Sequence, residues 1–235
     1  MIKNLLFDLD GSLLPMDQDL FLKAYFKGLV GAMLPHGYTP EELTGALWAG
    51  IGAMIKNDGS CTNEQAFWRV FKGMLGERVD EHRCEVDRFY AEEFGKISAV
   101  CGRDDRAGEV VALLRERGVR VILATNPLFP KTATLQRIGW AGLDPDSFEL
   151  ITTYENSRFC KPNPEYYREI VNKLGLEPTE CMMVGNDVEE DMIANTLGMD
   201  TFLLTPCMIN KHNTDVSQYK RGDLGAFSEF IAAKV

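Results

Sequence analysis

The sequence has no CxxC pair, no cysteine cluster at metal-ligand spacing, no apolar run long enough to span a membrane, no internal repeat and no excess of basic residues. Each absence removes a class of function. Six scattered cysteines (Cys61, Cys84, Cys101, Cys160, Cys181 and Cys207) read as reduced, mostly buried thiols, not as a disulfide framework or a zinc site. Lys and Arg number 25 against 35 Asp and Glu, and the formal net charge of −10 argues against nucleic acid or an anionic membrane surface as a partner. A local basic pocket for a small anion is compatible with that average. Asp8 and Asp10 interrupt the apolar N-terminal stretch too early for a secretion signal, so a cytoplasmic location is expected. What is left is an ordinary globular composition, 45% hydrophobic and 26% charged, in 235 residues. That is enough for one substantial core, with or without a smaller module.

Hydrophobic periodicity divides the chain. Residues 2–7 (IKNLLF) read as a short buried strand stopped by an acidic turn. Four helical patterns follow with almost no strand signal: DLFLKAYFKGLVGAML, PEELTGALWAGIGAMI opened by Pro40 and two glutamates, TNEQAFWRVFKGML with Thr62 and Gln65 at capping-box spacing, and EHRCEVDRFYAEEFGKI. The period then changes to an alternation of helix DRAGEVVALLRERG, strand VRVILATN, helix KTATLQRIGW, strand FELITT, helix PEYYREIVNKLG, strand CMMVG, helix EEDMIANTLG and strand TFLLT. PCMINKHNTDVSQYKRG reads as a polar loop and LGAFSEFIAAKV as a closing helix. The alternation predicts a parallel sheet with crossover helices. The expected fold is therefore α/β, a Rossmann-like core of residues 1–15 and 99–235 with an all-helical module inserted at 16–98.

In an open parallel sheet, ligands bind beyond the carboxyl ends of the strands. Those ends here carry Asp8 and Asp10, then Thr125 and Asn126, then Lys161 in KPNP, then Asn186 and Asp187 in GNDVEED, with Asp191 beyond. Each segment alone reads equally as an acidic turn, a Pro-containing turn, a proline-led helix start or an acidic helix cap. Taken in order, they surround one crevice with acid, hydroxyl and amide, cation and acid. Two carboxylates spaced by one leucine are costly unless a cation sits beside them.

As a set these segments resemble the motifs of the haloacid dehalogenase (HAD) superfamily of phosphohydrolases, over nearly the whole chain. DLDGSL looks like the first motif, DxDGT, with Ser12 in the threonine place; Thr125, Lys161 and GNDVEED match the second, third and fourth; the helical module is like the family's cap. The resemblance implies an Mg²⁺-dependent phosphatase acting on a small soluble phosphate monoester. Asp8 would be the nucleophile that forms an aspartyl-phosphate. Asp10 would protonate the leaving oxygen and then deprotonate water, with its backbone carbonyl on the metal. Thr125 and Asn126 would hold phosphoryl oxygens, Lys161 would stabilise the transition state, and Asp191 would orient Lys161 or a metal-bound water. The fourth motif departs from the family pattern. Its usual metal-ligating aspartate falls on Asn186, so either Asn186 ligates through its amide oxygen or Asp187 takes the place.

Other readings stay open. A phosphomutase would use the same residues, and a non-catalytic phosphate-binding regulator is suggested only by Asn186. A dehalogenase lacks the second aspartate. A phosphonate hydrolase uses a cap lysine, for which Lys23, Lys27, Lys56 and Lys72 offer no distinguishing placement. Within the module, PHGYTP and KNDGSCTNE read as interhelical turns or specificity elements, and Trp48, Phe67, Trp68 and Phe71 as core in preference to a ligand platform. Oligomeric state is not legible.

Overall fold

The computed structural model describes residues 1–235. Strand β1 (Asn4–Phe7) is buried along its whole length and lies between β2 (Arg120–Leu123) and β4 (Cys181–Gly185). With β3 (Leu150–Ile151), β5 (Asp200–Leu204) and β6 (Lys220–Gly222) these form one parallel six-stranded sheet in the order β3-β2-β1-β4-β5-β6. The chain order reverses direction at β1, which opens a crevice at that strand's carboxyl end. Register places Phe7 beside both Leu123 and Val184, so the residues that follow the three strands emerge side by side.

Side-chain alternation splits the core. Leu5 and Phe7 face α5 (Arg106–Glu116) and α8 (Leu224–Ala232), in a cluster continuous with the inserted helices. Leu6 faces the other way, with Ile122 and Met183, onto Tyr166, Tyr167 and Ile170 of α7 (Pro164–Leu174). Helix α6 (Lys131–Trp140) carries the sheet's first face across to the insertion, where Trp140 stacks on Phe94 with ring centroids 5.2 Å apart.

The insertion opens with α1 (Gln18–Met33), α2 (Pro40–Ile55) and α3 (Asn63–Leu75). Both capping boxes form, Thr39 with Glu42 and Thr62 with Gln65, satisfying N–H groups that the first turn leaves free. The fourth helical pattern is broken: α4 covers only Arg83–Arg88, followed by a wide turn over Phe89–Glu93 and tight turns over Phe94–Val100. Phe89, Tyr90 and Phe94 stay buried through these changes of pitch. Entry and exit of the insertion lie together, since Met16 pairs with Cys101 and the Gly102 N–H donates to the Pro15 carbonyl at 2.6 Å.

Other expectations need correction. FELITT contributes only the two residues of β3, and EEDMIANTLG forms a short 3₁₀ run over Met192–Leu197 in place of an α-helix. There the Asp187 carboxylate accepts the N–H groups of Glu189 and Glu190, and Asp191 accepts that of Asp187, so side chains take the bonds a helix would use. The polar loop hides the edge strand β6, whose Lys and Arg mask it as loop. KNDGSCTNE is no free turn: Asn63 N–H donates to the Ser157 carbonyl at 2.9 Å and its buried amide reaches the Pro127 and Phe159 carbonyls at 3.3 Å. All six cysteines are free, but only Cys160 and Cys181 are buried. No helix is long and apolar enough to cross a membrane.

Candidate active site

β1 runs directly into Asp8, whose N–H stays in the sheet by donating to the Val184 carbonyl at 2.9 Å. Gly11 then turns the chain at φ +82°, and a Cβ there would lie 2.4 Å from the Asn186 amide nitrogen. The turn returns Ser12 beneath Asp8. Its Oγ lies 3.0 Å from Asp8 Oδ2 and 2.9 Å from Asn186 Oδ1. A hydroxyl has one proton, so two acceptor oxygens converge where only one can be satisfied.

The other carboxylate oxygen, Asp8 Oδ1, accepts from Lys161 Nζ at 2.9 Å, and the same ammonium donates to Asp191 Oδ1 at 2.6 Å. Lys161 is fully buried. Burial works against its charge, but the carboxylates of Asp191 and Asp8 together outweigh it and hold its pKa well above the usual lysine value. Burial likewise raises the Asp191 carboxyl, with Lys161 opposing and Asp8 adding to the rise. Asp191 can fold back this closely because Gly185 has no side chain; a Cβ there would sit 2.1 Å from Asp191 Oδ2.

Asp10 lies beyond the strand, so it does not share the partners of Asp8. Its Oδ2 is ion-paired with Arg137, a fully buried residue of α6 that also donates to Thr134 Oγ1 at 3.2 Å and lies 4.4 Å over the Phe129 ring. Asp10 Oδ1 is buried with no partner in the chain. Burial pushes the Asp10 pKa up to about 6, with Arg137 opposing and Asp8 reinforcing the rise.

At the end of β2, Thr125 is buried, and its carbonyl accepts from Thr152 Oγ1 at 2.7 Å and Tyr166 Oη at 2.9 Å. Asn126 Oδ1 accepts the Lys161 N–H at 3.3 Å, while its Nδ2 donates to Glu190 Oε2 at 2.9 Å. Burial pushes Glu190 up to about 7, with Lys161 opposing the rise. At the end of β4, Asn186 Nδ2 donates to the Cys207 carbonyl at 2.7 Å, which turns Oδ1 inward toward Ser12 and Asp8. The Asp187 carboxylate spends Oδ1 on two peptide N–H groups.

The structure thus brings Asp8, Asp10, Thr125, Asn126, Asn186, Asp187 and Asp191 to one crevice of about 130 Å³. Lys161 stands behind its floor. Sequence reasoning passed over Arg137, Glu190 and the anchoring role of the loop at Cys207. Arg137 had a visible signal, a charge on the face of α6 that also carries Ala133 and Ile138; Glu190 and Cys207 had none. No cluster of three His, Cys, Asp or Glu side chains forms a metal site. The donors that converge are instead a carboxylate oxygen of Asp8 and the amide oxygen of Asn186, hard oxygens of the kind that suits Mg²⁺.

Known proteins share this chain's sequence pattern and fold. The family model described as haloacid dehalogenase-like hydrolase matches residues 2–195. The phosphoglycolate phosphatase of Pectobacterium atrosepticum is 30% identical over 197 residues, 84% of this chain and 77% of its own. Pyrophosphatase PpaX of Bacillus pumilus is 24% identical over 85% of this chain and 82% of its own. The solved 2-haloacid dehalogenase of Pseudomonas syringae pv. Tomato DC3000 shares the fold over 100% of both chains, with a TM-score of 0.66 at 16% identity. On the breadth of these matches, the chain belongs to the haloacid dehalogenase-like hydrolases, among the phosphohydrolases of that superfamily.

Proposed function

We propose that the protein hydrolyses a small phosphate monoester in two steps on Asp8, beneath a cap formed by the helical insertion. The observation that carries this reading is the division of labour between two neighbouring carboxylates. Asp8 is fixed through both oxygens by Lys161 and Ser12, whereas Asp10 is tethered through one oxygen by Arg137 and keeps the other free.

In the first step an Asp8 oxygen attacks phosphorus and the bond to the leaving oxygen breaks, while Asp10 Oδ1 gives that oxygen its proton. In the second, Asp10 takes a proton from water, the water oxygen attacks phosphorus, and the Asp8 carboxylate is released. Thr125 and Asn126 stand at the adjacent strand end to hold phosphoryl oxygens. Lys161, itself held by Asp191, acts from behind, orienting Asp8 and placing a fixed positive charge beside it. Mg²⁺ held by Asp8, the Asp10 carbonyl and Asn186 Oδ1 would supply the positive charge that lets an anionic nucleophile approach an anionic ester. Asn186 is favoured over Asp187 because Cys207 aims its amide oxygen at Asp8, whereas Asp187 caps its own turn.

The test is phosphate release from a panel of small phosphate esters, with Mg²⁺ and with EDTA, beside Asp8→Asn. Turnover is expected only with Mg²⁺ and only with Asp8 intact; turnover that survives Asp8→Asn would rule out the aspartyl-phosphate route.

A further inference from the structure

The insertion and the core loops at Leu128, Phe129, Tyr154 and Lys211 line a second cavity, of about 300 Å³, and fifteen of its sixteen lining residues are hydrophobic. Leu47, Ile51, Phe67 and Phe71 supply one wall from α2 and α3, and Tyr90 comes from the wide turn. Leu22, Leu128 and Phe129 line both this chamber and the acidic crevice, so the two spaces adjoin. Trp48 and Ile55 edge the chamber at 53% and 44% exposure, which leaves aromatic and aliphatic surface facing water. That corrects the reading of Trp48 as core. Close-packed interiors do not keep voids of this size, and an apolar cavity of about 150 Å³ already accommodates a benzene ring.

The chamber offers little to a polar ligand. The Tyr25 and Tyr90 hydroxyls bond to each other at 2.7 Å, and Lys211 is the single charge in the lining. Hydroxyls or a carboxylate placed there would lose water without gaining comparable partners. An apolar body would exchange water for the rings around it. Trp68 adds one buried indole N–H that has no acceptor in hydrogen-bond geometry.

We propose that the leaving alcohol of the substrate carries an apolar body, arylalkyl or branched alkyl, which fills the chamber while its phosphate lies against Asp8. This rests on the phosphatase reading and extends it to a substrate class unlike the phosphoglycolate or pyrophosphate named for the relatives.

The test compares kcat/KM for 2-phenylethyl phosphate and glycerol 1-phosphate, both primary alkyl esters, so that leaving-group chemistry does not decide the outcome. A preference of about 100-fold for the arylalkyl ester is expected, the scale at which apolar pockets discriminate. Ile51→Phe, which narrows the chamber, should reduce that preference at least about tenfold. In parallel, 2-phenylethylphosphonate should quench the fluorescence of Trp48 and Trp68 saturably. Turnover of both esters without preference would overturn the chamber proposal and leave the phosphatase reading standing. Absence of all turnover, with saturable quenching retained, would remove the phosphatase reading and keep the chamber as a ligand site. Absence of quenching, including through self-association that covers Trp48, would overturn the chamber proposal whatever the turnover.

Discussion

The acidic crevice and the apolar chamber meet at three residues, yet they are built by opposite means. The crevice draws on the ends of β1, β2 and β4, where register brings the residues that follow Phe7, Leu123 and Val184 to one edge of the sheet, Asp8, Thr125 and Asn186 among them. The chamber draws mainly on faces of α1, α2 and α3 plus Val86 of α4 and one irregular turn, closed on the core side by Leu128, Phe129, Tyr154 and Lys211. On the proposed reading, chemistry sits at the paired ends of the strands, and shape selection in the insertion joined to them at Pro15 and Gly102. A protein so divided can change what it accepts without disturbing how it reacts.

The comparison is tested most severely at Asp8. Asp8→Asn should lower phosphate release by about 10⁴-fold or more while circular dichroism is unchanged, because the nucleophile is lost but Lys161 keeps Asp191. A folded variant with near-normal turnover would detach the chemistry from the strand ends. Next comes the boundary between the two spaces. Arg137→Met should cost about 3–5 kcal/mol in urea unfolding, since Asp10 would stay buried without its cation. Adding Asp10→Asn should restore part of that loss.

A smaller effect should arise in the chamber at high pH. Burial, against the opposing influence of Tyr90 and Arg137, raises Tyr25 from the usual 10.0 to about 12. The unfolded chain releases this proton first, so the associated stability is complete below pH 10 and disappears as pH rises toward 12. Relative to Tyr25→Phe, the wild type should lose about 2–3 kcal/mol more across that window, measured by urea titration. The smallest effect returns to the crevice. Asn186→Asp adds a negative charge to the oxygen set, and the Mg²⁺ concentration for half-maximal activity should fall about tenfold.

Sequence alone was informative wherever the backbone dictates position. Asp8, Thr125 and Asn186 follow strands whose apolar runs are unambiguous, and parallel pairing does the rest; Lys161 lies well beyond the two-residue β3 and is marked by its KPNP segment instead. It was least informative where side chains override local preference. The turn after Asn186 looks helical until Asp187 and Asp191 take its N–H groups, and the pattern after Arg83 looks like one helix although its pitch widens at Phe89 and tightens at Phe94. Arg137 shares the face of α6 that carries Ala133 and Ile138, but only packing of that helix against the turn after β1 shows its partner to be Asp10. The chamber was invisible for a related reason. Aromatics at helical spacing look the same whether they fill a core or leave a space.

The closeness of Pro15 to Gly102 also has a consequence for how this molecule could be inherited. Some eighty-odd intervening residues leave the sheet and rejoin it at nearly the same point, so a different helical segment could be spliced in there with strand order intact. The transplant would succeed only if it brought its own cover for Phe129 and Trp140, which the present helices shield.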